Sequence, residues 1–401
     1  MKKLWLVPLA ALVACGHAKT NEGESIAVAP KPVVAKPIEV VGEGAASMGG
    51  DVAPFELAIG VSEFCVRIDG RAHCGTADDN VPLVQHPPVG GIEDATSISL
   101  GNDFGCITTR RGTVHCWGNN ANGQLGGNLH ADRSNDPVQV TSVKNARRVF
   151  AGDDHVCATL VDGTLACWGP NSSGETGGST SWAAAARELV TATVVPGLTD
   201  VNNAALTFRS TCATTKRGEL WCWGQSVEST QASKQGPTNE HPFRLTSLAK
   251  VDDVSASSGA VCAVHSGDVS CFGSTYALVA EATPDRQKPS KIEAIKGATK
   301  VRVGNGHACA LTRDARVWCW GYNTNGECGR EDPPRAPQGY TPREPEPVPA
   351  LPNARDLVVS RSASCAITGP EEAWCWGLFP YGGTSGSAQR IERSPVRLRI
   401  R

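Results

Sequence analysis

Beyond its first residues, the sequence has no apolar run long enough to span a bilayer. It also has no long basic block, and its formal net charge is −2. Phosphate backbones need concentrated positive charge, so nucleic acid is excluded as the main partner. There is no G-x-S-x-G elbow, no Walker A loop and no H-E-x-x-H helix. The hydrolases, nucleotide-binding enzymes and metalloproteases that use those motifs therefore have no signature here. C-x-x-C knuckles are missing too. Structural zinc needs four converging ligands, so no metal site is expected, and no other cofactor has a motif. Helical periodicity is scarce, while Val, Thr, Trp, Gly and Pro are frequent, which points to an all-β chain.

What the sequence does have is cysteine, sixteen in all, and a repeat. The stretch CITTRRGTVHCWGNNANGQLG at 106–126 returns at 157–177 and 309–329, with weaker copies starting at Cys65, Cys212, Cys262 and Cys365. The seven copies are spaced 41 to 56 residues apart, the period of stacked supersecondary units. Each copy carries two cysteines around a short polar turn. Nine residues separate Cys106 from Cys116, Cys157 from Cys167, Cys212 from Cys222, Cys309 from Cys319 and Cys365 from Cys375. Eight separate Cys65 from Cys74 and Cys262 from Cys271. Both spacings set the two cysteines opposite each other across a hairpin. Eight centres a two-residue turn on Asp69-Gly70 or Ser266-Gly267; nine gives a three-residue turn ending in Gly112, Gly163 or Gly218. Ala315 and Glu371 hold the glycine place in the other two copies, and strained turns are expected there.

Two more segments accompany each hairpin. An apolar or alternating segment such as FELAIG (55–60) precedes the first cysteine, with a small residue five positions before it: Gly60, Gly101, Gly152, Thr207, Ser257, Gly304 or Ser360. Small residues suit an innermost strand crowded near an axis. Further upstream, Pro137, Pro242, Pro289 and Pro345 each stand 20 residues before the next first cysteine, with an aliphatic residue three positions on. Four strands in each of seven repeats predict a seven-bladed β-propeller. Cys65 has no such upstream segment, but SPVRLRIR at 394–401 has the right spacing and no hairpin after it. The expectation is that this C-terminal strand joins the N-terminal blade and closes the ring, removing two exposed sheet edges.

WGNNANGQLG (117–126), following a Cys- and His-containing strand, resembles the signature of RCC1-like repeats, the regulator of chromosome condensation family. The resemblance covers 55–401. It is strong at 117–126 and 320–329, fair at 168–177 and weak elsewhere, and His155 and His307 match the family's inner-strand histidine. It implies the same seven-bladed propeller, used as a binding platform. No motif for nucleotide exchange or enzyme inhibition carries over.

The chain begins MKKLWLVPLAALVAC. A basic start and a short apolar stretch read as an export signal. Leu12-Val13-Ala14-Cys15 resembles the bacterial lipobox, in which the cysteine, here Cys15, is lipidated and becomes the mature N-terminus. Gly16 in place of Asp leans toward the outer membrane. The organisation expected is a signal over 1–15, a disordered Ala/Pro/Val-rich tether over 16–53 and the propeller over 54–401. In an oxidising envelope the paired cysteines read as seven intra-hairpin disulfides. Cys328 stands where Leu125 does in the second copy and reads as a small buried hydrophobe. His155 and His307 are expected to bond neighbouring backbone.

These features describe a non-catalytic cell-envelope lipoprotein, monomeric, touching the membrane only through its lipid and binding a protein or other macromolecule. The competing reading is an enzyme, a hydrolase such as a glycosidase, with a carboxylate pair at the mouth of the propeller channel. Purely structural service at the surface is a third. The longest connecting loop, 178–189, carries Trp182 among alanines. Trp182 is either an interface anchor or the packing residue of a short helix on its own blade.

Overall fold

Each cysteine spacing folds as its turn chemistry requires. In the computed structural model all seven pairs sit directly opposite in antiparallel register, from Cys65↔Cys74 to Cys365↔Cys375. Each pair is bridged, with Cα atoms 4.1 Å apart. The two-residue turns have positive φ at both positions, Asp69 and Gly70, then Ser266 and Gly267, as a type I′ hairpin demands. Ala315 and Glu371 are held at φ 63° and 56°, a left-handed conformation that costs a side-chain-bearing residue. The structure describes residues 54–76, 81–127, 131–178, 191–225, 238–274, 277–279, 288–331, 343–380 and 389–401.

The strands form seven antiparallel sheets, six of four strands and the first of three. The second blade shows the plan: Ala95–Leu100 innermost, then Phe104–Thr109, Val114–Asn119 and Arg133–Gln139 outermost. A hydrophobic cluster lies at every junction between neighbouring blades, so the core is a ring of seven interblade layers. The glycine of the Trp-Gly step in the third strand takes φ 95–100° in Gly118, Gly224, Gly321 and Gly377. A Cβ there would come within 2.3–2.4 Å of a carbonyl in the turn between the first two strands. At the small-residue position the crowding is lateral. A Cβ on Gly101 would meet the Phe104 ring at 2.2 Å and the Gly152 carbonyl of the next blade at 2.5 Å.

The expected ring closure is corrected. Each proline-containing segment pairs with the hairpin that precedes it, not with the one that follows. Val138 faces Cys116 and Gln139 faces His115 in the second blade. Val396 faces Cys375 and Arg397 faces Trp374 in the seventh, in the same register. The C-terminal strand Gln389–Arg397 thus completes the blade begun at Asp356. The reason is local: the third strand leaves an open edge, and the next extended segment along the chain covers it. The first blade keeps three strands, and its fourth position survives as a single bridge, His73↔Pro88. The seam between seventh and first blades is sealed by the tail beyond the strand. Leu398 and Ile400 are buried in one cluster with Phe55, Leu57, Phe64 and Leu83. The Leu83 and Val84 amides donate to the Arg399 and Ile400 carbonyls at 3.3 and 3.1 Å.

Deleting only 398–401 leaves Gln389–Arg397 whole but removes two buried side chains, each contributing roughly 1.5–3 kcal/mol. The melting temperature of the oxidised protein is expected to fall by several degrees. An unchanged melting curve would show that the tail does not seal the ring.

Candidate functional site

The innermost strand of each blade has one edge with no further strand to pair it, so its amides face the central channel. Four residues before each small position the chain places a polar side chain: Glu56, Ser97, Arg148, Asn203, Asp253, Lys300 and Asp356. Three of them cap the next blade's edge in the same way. Glu56 Oε2 accepts from the Ile98 amide at 3.2 Å, Ser97 Oγ from Val149 at 3.2 Å and Asp253 Oδ2 from Val301 at 2.9 Å. Two residues on, Ser99 and Ser255 accept from the Ala151 and Val303 amides at 2.9 and 3.0 Å. Ion pairs complete the belt: Arg67–Glu56 at 3.2 Å, Arg302–Asp253 at 2.7 Å and Lys300–Asp356 at 2.6 Å.

Within the belt lies a chamber of about 710 Å³ that opens on the face of the disulfide hairpins, between Arg110 and Arg148 on one side and Lys300 on the other. The opposite end narrows to about 110 Å³. There Arg361 of the seventh blade reaches Asp153 of the third at 2.9 Å. Burial and the charge of Asp153 raise the pKa of the adjacent Asp154. The channel is therefore a chamber with one wide mouth and an ion pair across its floor.

A second set of groups locks blade to blade further out. Asn120, Asn171 and Asn323 close the loop after the third strand. Each side-chain oxygen accepts from the amide five residues on, at 2.8–3.1 Å. Closing the loop points one buried carbonyl at the next blade, where an indole N–H meets it. Trp168 donates to Gln124 at 3.0 Å, Trp223 to Glu175 at 2.9 Å and Trp376 to Glu327 at 2.9 Å; Trp320 makes the same bond at 3.0 Å to Leu278, in a loop that lacks the asparagine.

The expectation for His155 and His307 is corrected here. Both bond a hydroxyl of the next blade rather than backbone: His155 Nε2 lies 2.7 Å from Thr211 Oγ1 and His307 Nε2 3.1 Å from Ser364 Oγ. The Thr211 hydroxyl donates onward to the Glu175 carbonyl at 2.8 Å, so His155 Nε2 carries the proton and donates to Thr211. Complete burial pushes both imidazoles down to about 3. A charged imidazolium there would have no counterion among the described residues close enough to shift it.

Cys15 and Trp182 lie outside the described residues. Cys328 is fully buried in the place that Leu125 fills in the second blade, and its amide donates to Asn323. Glu63, Cys65 and Cys74 approach one another, but the Cys65–Cys74 bridge takes both thiolates, so the group is not a metal site. The polar belt is the feature that sequence reading missed. Its signal was present as a polar residue four positions before every small one, hidden in strands that read simply as alternating.

The buried histidines make stability depend on pH with a definite sign. Their folded pKa lies below the ordinary value near 6.5, so the unfolded chain binds more protons between about 6.5 and 3. Stability is full above that window and falls as pH drops through it, by about 1.4 kcal/mol per pH unit for each histidine. Melting temperature is expected to fall between pH 7 and 5, and less steeply in His155→Gln,His307→Gln. Equal slopes in the two proteins would contradict neutral burial.

Residues 95–124, 146–175 and 298–327 match one model of the regulator of chromosome condensation (RCC1) repeat, and residues 111–159 match a second. Human E3 ubiquitin-protein ligase HERC2 is 26% identical over 235 residues, 55% of this chain and 5% of that protein. The ultraviolet-B receptor UVR8 of Arabidopsis thaliana is 24% identical over 271 residues, 65% of this chain and 60% of that protein. The chain thus spans less than two thirds of either relative. Among solved structures, human WBSCR16 superposes with a TM-score of 0.64 at 17% identity, covering 78% of this chain and 83% of that one. Prp20p of Saccharomyces cerevisiae gives 0.62 at 17%, covering 76% of each. The RCC1 repeats, set in a ring of seven disulfide-stapled blades, make this chain an RCC1-like β-propeller.

Proposed function

We propose that the chain is an exported lipoprotein of the cell envelope, anchored through Cys15, whose propeller is a non-catalytic platform for a protein partner. The observation that carries the export half is the disulfide set, one bridge in each of seven blades. Such bridges form and persist in oxidising compartments. The lipobox then supplies the anchor, and Gly16 directs it to the outer membrane. The platform half is supported by the family's fold. Prp20p, built on the same propeller, binds Gsp1p and histones and has been solved with Kap60 bound. The long loop with Trp182 is the proposed contact, the partner is a protein, and the chain acts as a monomer.

A hydrolase would need a pair of carboxylates open to substrate at the channel mouth. Glu56, Asp253 and Asp356 instead each hold a cation, and Glu56 and Asp253 also hold a backbone amide. That arrangement joins blades, so the platform reading is preferred.

Cys15→Ser is expected to move the protein from the membrane fraction to the soluble one; unchanged partitioning would remove the anchor. Crosslinking of the wild-type chain in its own envelope should give one dominant protein adduct that Trp182→Ala weakens. Loss of no adduct in that variant would take the contact away from the loop.

A further inference from the structure

The wide mouth of the channel lies on the hairpin face, and its charge is unbalanced. Six cations line the chamber: Arg67, Arg110, Arg147, Arg148, Lys300 and Arg302. Facing them are Glu56 and Asp356, with Asp253 behind the wall. The deeper cations are matched: Arg67 with Glu56, Arg302 with Asp253 and Lys300 with Asp356. Arg148 shares Glu56 only at 3.9 Å, and its guanidinium lies 5.4 Å from the centre of the Phe150 ring. The nearby carboxylate of Asp94 pairs with Arg111. Arg110 and Arg147 are exposed, and neither has a side-chain hydrogen bond or ion pair among the described residues. Exposed Val161 lines the same mouth.

From this imbalance we propose that the rim formed by Arg110, Arg147 and Arg148 binds an acidic peptide segment of a partner. A site for a small anion encloses its ligand with buried, precisely placed donors. Here the buried cations are already satisfied and the surplus stands at the exposed rim, within reach of a chain laid across the mouth. Guanidinium groups meet carboxylates through paired N–H donors. The chamber below has room for a side chain that dips in, and the Arg361–Asp153 pair spans its far end. The site stands whether or not the Trp182 loop binds a partner.

The test is fluorescence anisotropy of labelled hexaglutamate with the full-length chain in detergent. Binding that weakens as salt rises is expected. Arg110→Glu,Arg147→Glu should weaken it about tenfold or more at an unchanged melting temperature. Lys250→Glu,Lys296→Glu makes the same charge change at residues that do not line the chamber and should leave binding nearly intact. Absence of hexaglutamate binding overturns the proposal, as does equal loss in both double variants, which would mean non-specific attraction. Displacement of bound hexaglutamate by citrate at an equal concentration would overturn it in favour of a small polycarboxylate.

Discussion

A loop carbonyl buried between two blades has to find a donor, and the ring is built around meeting that need. The Asn-x-x-Gly loop turns the carbonyl of Gln124, Glu175 or Glu327 away from its own blade, and the tryptophan of the following blade supplies the N–H. A typical hydrogen bond of this kind contributes only about 1 kcal/mol, but a buried carbonyl left without its donor costs roughly 1–3 kcal/mol. The lock therefore fixes the angle at which one blade can follow another, more than it adds stability outright. Thr211 and Ser364 add a hydroxyl to the same carbonyls at the two junctions where a histidine stands behind them. Junctions without the lock use other means. Trp117 reaches the Glu63 carboxylate at 3.4 Å, Phe272 fills the place of an indole, and the Phe64 and Phe379 rings meet edge to face at the seam.

The disulfides act on a different scale. Each joins the second and third strands of one blade, so none crosses a junction. Closing a loop of about ten residues removes under ~3 kcal/mol of chain entropy from the unfolded state. Seven such staples make each blade a stiff unit but leave blade-to-blade cohesion to the indole locks, the apolar layers and the polar belt around the channel. This division lets the mouth of the channel vary from blade to blade. The staple and the lock need fixed residues, while the belt needs only a polar group of suitable reach, and Glu, Ser and Asp all serve.

Hairpins were legible because cysteine spacing and turn glycines constrain both register and turn type, and the φ values of Asp69, Gly70 and Ala315 follow from them. Blade number was legible from the repeat. Closure was misread because a distance measured to the next cysteine does not say which hairpin a strand pairs with. Pro395 and Leu398 have the same spacing whether they serve the first blade or the seventh. Register decides it, through Cys375 facing Val396. His155 was misjudged because its partner, Thr211, lies 56 residues away on another blade. The belt was invisible because its members share a position but not a residue type.

The central claim is that the interblade indole bond, rather than tryptophan burial alone, holds successive blades. Trp320 and Trp318 stand two residues apart on one strand, on the same face, and pack against one apolar cluster. The first is buried and donates to the Leu278 carbonyl, and the second is half-buried beside Arg316. Thermal unfolding of Trp320→Phe and Trp318→Phe under oxidising conditions compares them with little change in apolar volume. The account gives a drop for Trp320→Phe equivalent to about 1–3 kcal/mol and little change for Trp318→Phe. Equal melting temperatures for the two variants would contradict it.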